Sequence, residues 1–193
     1  MSGQVDEKRI YFADKRKVNL KKKEVKGRVL DIGGGGAGVI SQLWNEQVVA
    51  IDTSEGELKE APNNKALKIV MDAKNLKFLD DEFGTVTSFF TMMYIKNEEF
   101  LQVFKEIYRV TKPGGRFLLW DSIIPPYSQG EKDVFAFNLE ANLPQAEIKT
   151  GYGILWPPKH QGINTFIDVA TEVGFKVLEK TESEGVIYLE LQK

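Results

Sequence analysis

Three apolar runs in this sequence each stop at an aspartate. They are Val29-Leu30 before Asp31, Gln47 to Ile51 before Asp52, and Ala66 to Met71 before Asp72. The first continues into a glycine-rich stretch, Ile32-Gly33-Gly34-Gly35-Gly36-Ala37-Gly38, and then into an apolar-periodic segment. That order reads as a strand, a tight turn and a helix start. Glycine takes positive φ and, having no Cβ, lets a ligand approach the backbone. The first turn of the helix adds free N–H groups. Acid-tipped parallel strands gather their carboxylates along one sheet edge, where doubly wound sheets hold nucleotide-like ligands.

Two chemistries compete for this turn. Gly33-x-Gly35-x-x-Gly38 has the dinucleotide-binding spacing, and Asp52 stands where the acid that binds a ribose belongs. The rival reading turns on Asp31, because a carboxylate beside the bend repels a pyrophosphate and attracts a cation. Here the sequence resembles the class I S-adenosylmethionine-dependent methyltransferases, whose first motif reads Asp-x-Gly-x-Gly-x-Gly. Asp31, Gly33 and Gly35 match it, and Ala37 stands at the third glycine, between Gly36 and Gly38.

The resemblance extends downstream and implies site residues. Asp52 matches the family's ribose-binding acid; its alternative is to cap the helix starting near Ser54. Asp72-Ala73-Lys74-Asn75-Leu76-Lys77-Phe78 resembles the adenine-side loop, with Lys77 in place of the common proline. There Asp72 would accept from the adenine amino group and the Ala73 amide would meet a ring nitrogen; a plain Asx-turn at Asp72 is the alternative. Gly34, Thr53 and Phe89 complete the implied cofactor set. Phe83 to Phe90 resembles the Phe-Asp-x-Val-x-Ser strand, with Gly84 replacing the aspartate. Phe89 and Tyr94 are expected in the cleft, Phe90 and Met92 in the core. Tyr108 to Phe117, with Lys112-Pro113-Gly114-Gly115, resembles the family's helix–turn–strand segment. Small-molecule members of the ubiquinone and menaquinone biosynthesis type are the nearest group.

The remaining elements must position these residues. Helices are expected at 37–45, 54–61, 97–111 and 162–173, and strands at 83–90 and 116–120. Asn97 is expected as a cap, and Phe100, Leu101, Phe104, Ile107, Tyr108 and Val110 form one apolar face. A polar turn containing Gly185 joins Phe175–Lys180 and Val186–Leu191 into a hairpin, another trait of the resembled family. Residues 122–161 break the alternation and are expected to cover the cleft, with a short helix at 131–140 and an extended segment around Ile148 to Trp156. Tyr11, Tyr94 and Trp156 are candidate substrate contacts. Asp121 and His160 are candidate bases for an acidic acceptor. Residues 6–26 are rich in lysine and arginine and are expected to form a helical, solvated arm, the alternative being an RNA-binding one.

Composition narrows the function classes. The chain has 193 residues, no cysteine, one histidine and a formal net charge of −2. Disulfides and thiolate chemistry are excluded, and a histidine-rich zinc site is not expected. The small net charge offers no global field for nucleic acid. No apolar run approaches the ~20 residues of a membrane span, and Met1 to Arg9 lacks the apolar core of a signal peptide, so a cytoplasmic location is expected. The reading is one α/β domain with a seven-stranded, mostly parallel sheet, helices on both faces and a C-terminal antiparallel hairpin. Its parts are an arm (1–27), a cofactor core (28–121), a lid (122–161) and a final helix with hairpin (162–193). The expected function is methyl transfer from S-adenosylmethionine to a small-molecule acceptor without a metal. The alternatives are a nicotinamide-dependent oxidoreductase and a non-catalytic S-adenosylmethionine-binding protein.

Overall fold

The computed structural model describes residues 7–127 and 130–193. In chain order the elements are β1 (Ile10–Phe12), β2 (Arg16–Asn19), β3 (Val29–Ile32), α1 (Val39–Trp44), β4 (Val48–Asp52), α2 (Glu55–Glu60), β5 (Leu67–Val70), β6 (Phe83–Phe89), α3 (Phe100–Val110), β7 (Thr111–Ser122), β8 (Val134–Leu143), β9 (Ala146–Leu155), α4 (Ile163–Val173), β10 (Lys176–Ser183) and β11 (Val186–Gln192).

Seven strands form the main sheet in the order β10-β11-β7-β6-β3-β4-β5. The β5, β4, β3, β6 and β7 neighbours pair in parallel, while β11 runs antiparallel to both β7 and β10. The chain leaves β3 toward β4 and β5, then returns to β6 on β3's other side. That reversal opens a crevice at the carboxyl ends of β3 and β6. Strand β3 is buried along its whole length, as a central parallel strand covered on both faces must be.

The period of two along each strand divides the core. Leu30, Ile32, Val49 and Ile51 face α3 and α4, through Phe100, Phe104, Ile107, Phe166 and Ala170. Val29, Val48 and Ala50 face the other way, toward Val39, Ile40, Leu43 and Trp44 of α1. A second sheet shares that face: β8 pairs antiparallel with β9 on one edge and parallel with β1 and then β2 on the other.

The second sheet replaces two expected helices. The segment expected as a helical arm is extended: Arg16 to Asn19 alternates buried and exposed, the period of a strand. Residues 131–140, expected as a helix, mostly belong to β8, whose Phe135, Phe137, Leu139 and Ala141 are buried at every second position. Met1 to Asp6 of the arm and Ser128–Gln129 of the lid lie outside the described residues. Asn97 does not cap α3, which starts at Phe100 after a single 3-10 turn; its amide donates to the His160 carbonyl at 2.8 Å. Among the described residues no helix is long and apolar enough to cross a membrane.

Candidate functional site

The crevice predicted by the strand order is a cleft of about 560 Å³. Its floor comes from the ends of β3, β4 and β6 and from the loop after β5, so Asp31, Asp52 and Asp72 all line it. Its roof is Thr150, Gly151 and Tyr152 of β9.

Asp31 is 2% exposed. Its Oδ1 accepts from the Thr87 hydroxyl at 2.8 Å. Its Oδ2 lies 2.7 Å from where a Cβ on Gly34 would stand, so the carboxylate is packed against the bend. Burial raises its pKa to about 7; the hydrogen bond from Thr87 opposes the shift and the charge of Asp52 adds to it. None of these neighbours is a cation.

Asp52 and Asp72 both form local turns while facing the cleft. Asp52 Oδ1 accepts from the Ser54 amide at 2.9 Å, and the cap of α2 is Ser54, whose hydroxyl accepts from the Glu57 amide at 3.2 Å. Asp52 Oδ2 lies 2.9 Å from where a Cβ on Gly35 would stand. Asp72 Oδ1 accepts from the Lys74 amide at 2.9 Å, which is the Asx-turn alternative, and the residue still lines the cleft beside Ala73.

The turn explains the unusual alanine. Gly36 and Gly38 take φ of 56° and 53°, whereas Ala37 is not among the positive-φ residues. The left-handed positions fall on either side of the methyl group, where only glycine is comfortable. Gly84, the other departure from the family pattern, lies at the opposite end of β6 from the cleft.

The comparisons with known proteins agree with this geometry. Residues 30–119 match the family model described as a methyltransferase domain. Demethylmenaquinone methyltransferases of Mycobacterium tuberculosis (strain H37Rv) and Corynebacterium glutamicum (strain R) are 35% and 34% identical over 100 residues, 51% of this chain and 42% and 43% of theirs. The match thus spans less than half the length of those relatives. Among solved structures, an S-adenosylmethionine-dependent methyltransferase from Mesorhizobium loti superposes with a TM-score of 0.62 at 16% identity, covering 89% of this chain and 93% of that one. One from Methanosarcina mazei gives 0.65 at 18%, covering 89% and 94%.

Residues 30–119 are thus similar to a methyltransferase domain, and the fold is the one those solved structures share.

Within this fold the residues expected to bind a cofactor converge. Asp31, Gly33, Gly34, Gly35, Asp52, Thr53, Asp72, Ala73 and Phe89 all line the one cleft. Tyr94 lines it too, beside Tyr152 of β9, and is 54% exposed. Met92 is fully buried, as expected. Phe90, expected in the core alone, is 1% exposed and also borders the cleft.

Four expected substrate or base residues lie elsewhere. Tyr11 and Trp156 pack on each other at 5.0 Å between ring centroids, and both pack on Phe135. Trp156 is fully buried, its indole N–H donating to the Pro125 carbonyl at 2.7 Å. These rings pack beside the second sheet and do not line the cleft. His160 is exposed and outside the lining. Asp121 is sealed beneath the cleft; it accepts from the Gln161 side chain at 2.6 Å and from the Ser122 and Met93 amides. Burial pushes its pKa up to about 6, against those hydrogen bonds and the charge of Lys159.

Other residues at the site gave no motif signal. Glu57 of α2 leans over the turn: a Cβ on Gly35 would meet its Cβ at 2.5 Å. Thr91 similarly fills the space beside Gly33. Lys74 is the one lysine or arginine among the described lining residues, and it is held by Glu99 at 2.9 Å and Asp72 at 3.4 Å. Tyr152 stacks on Phe90 at 5.5 Å. Lys159, buried behind the lid, donates to the Met92 and Ile95 carbonyls and lies over the Phe100 ring, 4.2 Å from its centroid. It thereby ties the lid's return segment to the turn that carries Tyr94.

Proposed function

We propose that this protein transfers a methyl group from S-adenosylmethionine to a small-molecule acceptor. The observation that carries the reading is the convergence of Asp31, Asp52 and Asp72 on one cleft, with Asp31 packed against the glycine bend. A buried carboxylate with no cation among its neighbours is an uncompensated negative charge, and its raised pKa records that cost. A ligand carrying a sulfonium and an ammonium relieves it; a pyrophosphate worsens it. This disfavours the nicotinamide alternative.

In this reading Asp52 accepts from the ribose hydroxyls, with Thr53 beside it. Asp72 and Ala73 hold the adenine, and Gly33, Gly34 and Gly35 let the donor lie against the backbone, with Phe89 on the wall. When bound, the donor supplies an electrophilic methyl group that needs no metal. The protein's part is positioning and exclusion of water: the floor fixes one reactant and the β9 roof closes over the other. His160 and Asp121 have no place in this scheme, because neither reaches the lining.

The cleft volume is that of a small-ligand site, and the curated relatives are named for a small-molecule substrate. Both support a small acceptor on the lid side, against Phe90, Tyr94 and Tyr152. Isothermal titration with S-adenosylhomocysteine and with NAD tests the assignment. Micromolar S-adenosylhomocysteine binding with no heat from NAD is expected, and NAD binding without S-adenosylhomocysteine binding overturns it.

A further inference from the structure

The lid-side wall of the cleft is aromatic and carries no formal charge. The Phe90 and Tyr152 rings stack at 5.5 Å with 15° between planes, and the Tyr94 ring is tilted against Tyr152 at 6.5 Å. Phe90 reaches this position at φ 52°, in the left-handed region, with its amide donating to the Trp120 carbonyl at 2.8 Å. A bulky residue is held there only when its surroundings impose it, and such strain concentrates at functional sites.

The charges around that wall are predominantly negative. Five carboxylates line the cleft, Asp31, Asp52, Glu57, Asp72 and Glu99, and Lys74 is already shared between two of them. An anionic acceptor would enter a negative cleft with no cation to receive it. The wall also lacks a base. The Tyr152 hydroxyl is pushed up by burial and stays protonated at neutral pH, the Tyr94 hydroxyl is a phenol more than half exposed, and Asp121 is sealed away. Asp31 and Glu57 belong to the glycine-turn side; Asp31 is packed between Thr87 and Gly34, and Glu57 lies beside Gly35 and Gly36.

We propose that the acceptor is an uncharged, weakly basic nitrogen nucleophile, an arylamine or N-heterocycle, seated against the wall of Phe90, Tyr94 and Tyr152. The assignment rests on the methyltransferase reading above. Such an acceptor attacks with a lone pair it already has, so no base is needed beforehand. One N–C bond forms as the donor's S–C bond breaks, the positive charge passes from sulfur to nitrogen, and a nitrogen that carries a hydrogen, such as that of an arylamine, then releases its proton to water. Aromatic faces and nearby carboxylates favour the charge appearing on nitrogen, so the wall binds the late stages of transfer better than the neutral reactant.

The test uses three probes titrated into the full chain saturated with S-adenosylhomocysteine: phenyltrimethylammonium, its uncharged shape-mate tert-butylbenzene, and benzoate. Phenyltrimethylammonium is expected to bind at least about 10-fold tighter than tert-butylbenzene, with benzoate undetectable. Tyr152→Leu should bring the first ratio near one, and Tyr152→Phe should keep it; S-adenosylhomocysteine titration of each variant reports whether it has folded. If S-adenosylhomocysteine does not bind the wild type, the methyltransferase reading fails first. If it binds, but benzoate or tert-butylbenzene equals the cation, or no probe binds, the nitrogen assignment is overturned and the cofactor reading stands.

Discussion

Thr87 and Asp31 occupy paired positions on neighbouring parallel strands, and the threonine hydroxyl donates to Asp31 Oδ1 at 2.8 Å. The bond fixes the carboxylate at the glycine bend and opposes, without cancelling, the effect of burial. A buried carboxylate poised near neutrality in a negative cleft makes stability, and the binding of a cationic ligand, depend on pH.

Asp31 has a folded-state pKa of about 7, above its ordinary value. The folded state therefore binds more protons than the unfolded state between about pH 4 and pH 7, and this group's contribution to stability falls as pH rises through that window. Asp31→Asn should be more stable than wild type at pH 8, by on the order of 2 kcal/mol, and the advantage should vanish near pH 4. Urea unfolding at the two pH values measures it. Wild-type S-adenosylmethionine binding at pH 6.5 should release a proton, seen as a heat that varies with the ionisation enthalpy of the buffer, and Asp31→Asn should abolish that release.

Asp52→Ala should weaken S-adenosylhomocysteine binding by roughly 10- to 100-fold, the loss of a pair of charge-assisted hydrogen bonds. Stability should fall by only about 1 kcal/mol, because the structural bond lost is the one from the Ser54 amide. Unchanged affinity by titration calorimetry would contradict a ribose role.

Ala37→Gly restores the family pattern but should not tighten cofactor binding, because Ala37 sits outside the left-handed region. It should cost about 0.5–1 kcal/mol through the added freedom of the unfolded chain. Gly38→Ala should cost more, since φ is 53° and the new Cβ would stand 2.9 Å from the Ser41 hydroxyl. Thermal melts and S-adenosylhomocysteine titration of both variants separate the two effects.

Lys159 has a folded-state pKa lowered to about 8 by burial, against the pull of Asp121. A lowered lysine pKa means that the unfolded state binds more protons between about pH 8 and pH 10.5, so the contribution to stability rises with pH there. Lys159→Met leaves the Met92 and Ile95 carbonyls without this donor and should cost about 2 kcal/mol at pH 7. The gap between wild type and variant should widen from pH 8 to pH 10. A constant gap in denaturant titrations would place the lysine's role in packing alone.

The two halves of the site were not equally legible. Asp31, Asp52 and Asp72 could be read because each ends an apolar run whose partner strands repeat the same local pattern, and register then brings the three together. Tyr11 and Trp156 were expected as substrate contacts because an N-terminal segment and an insert after the fifth strand can both fold over a cleft. Tyr11, partly buried, and Trp156, fully buried, pack instead on each other and on Phe135, a matter of long-range pairing that no local period records. Glu57 went unnoticed for a similar reason. Its place over Gly35 and Gly36 follows from how α2 packs back on the turn, not from its neighbours in sequence.

By itself the sequence determined the parallel sheet, the glycine bend and the sign of charge beside it. Strand, turn and helix at that point are specified by neighbouring residues, and a carboxylate adjacent to a bend stays there however the rest of the chain packs. Only the tertiary structure decided what faces the donor across the cleft. Tyr152 reaches Phe90 because β8 pairs with β9 on one edge and with β1 and β2 on the other. The pairings of β8 with β1 and β2 join segments more than a hundred residues apart, and their strength lies in buried surface and ladder hydrogen bonds that exist only once the chain has closed on itself.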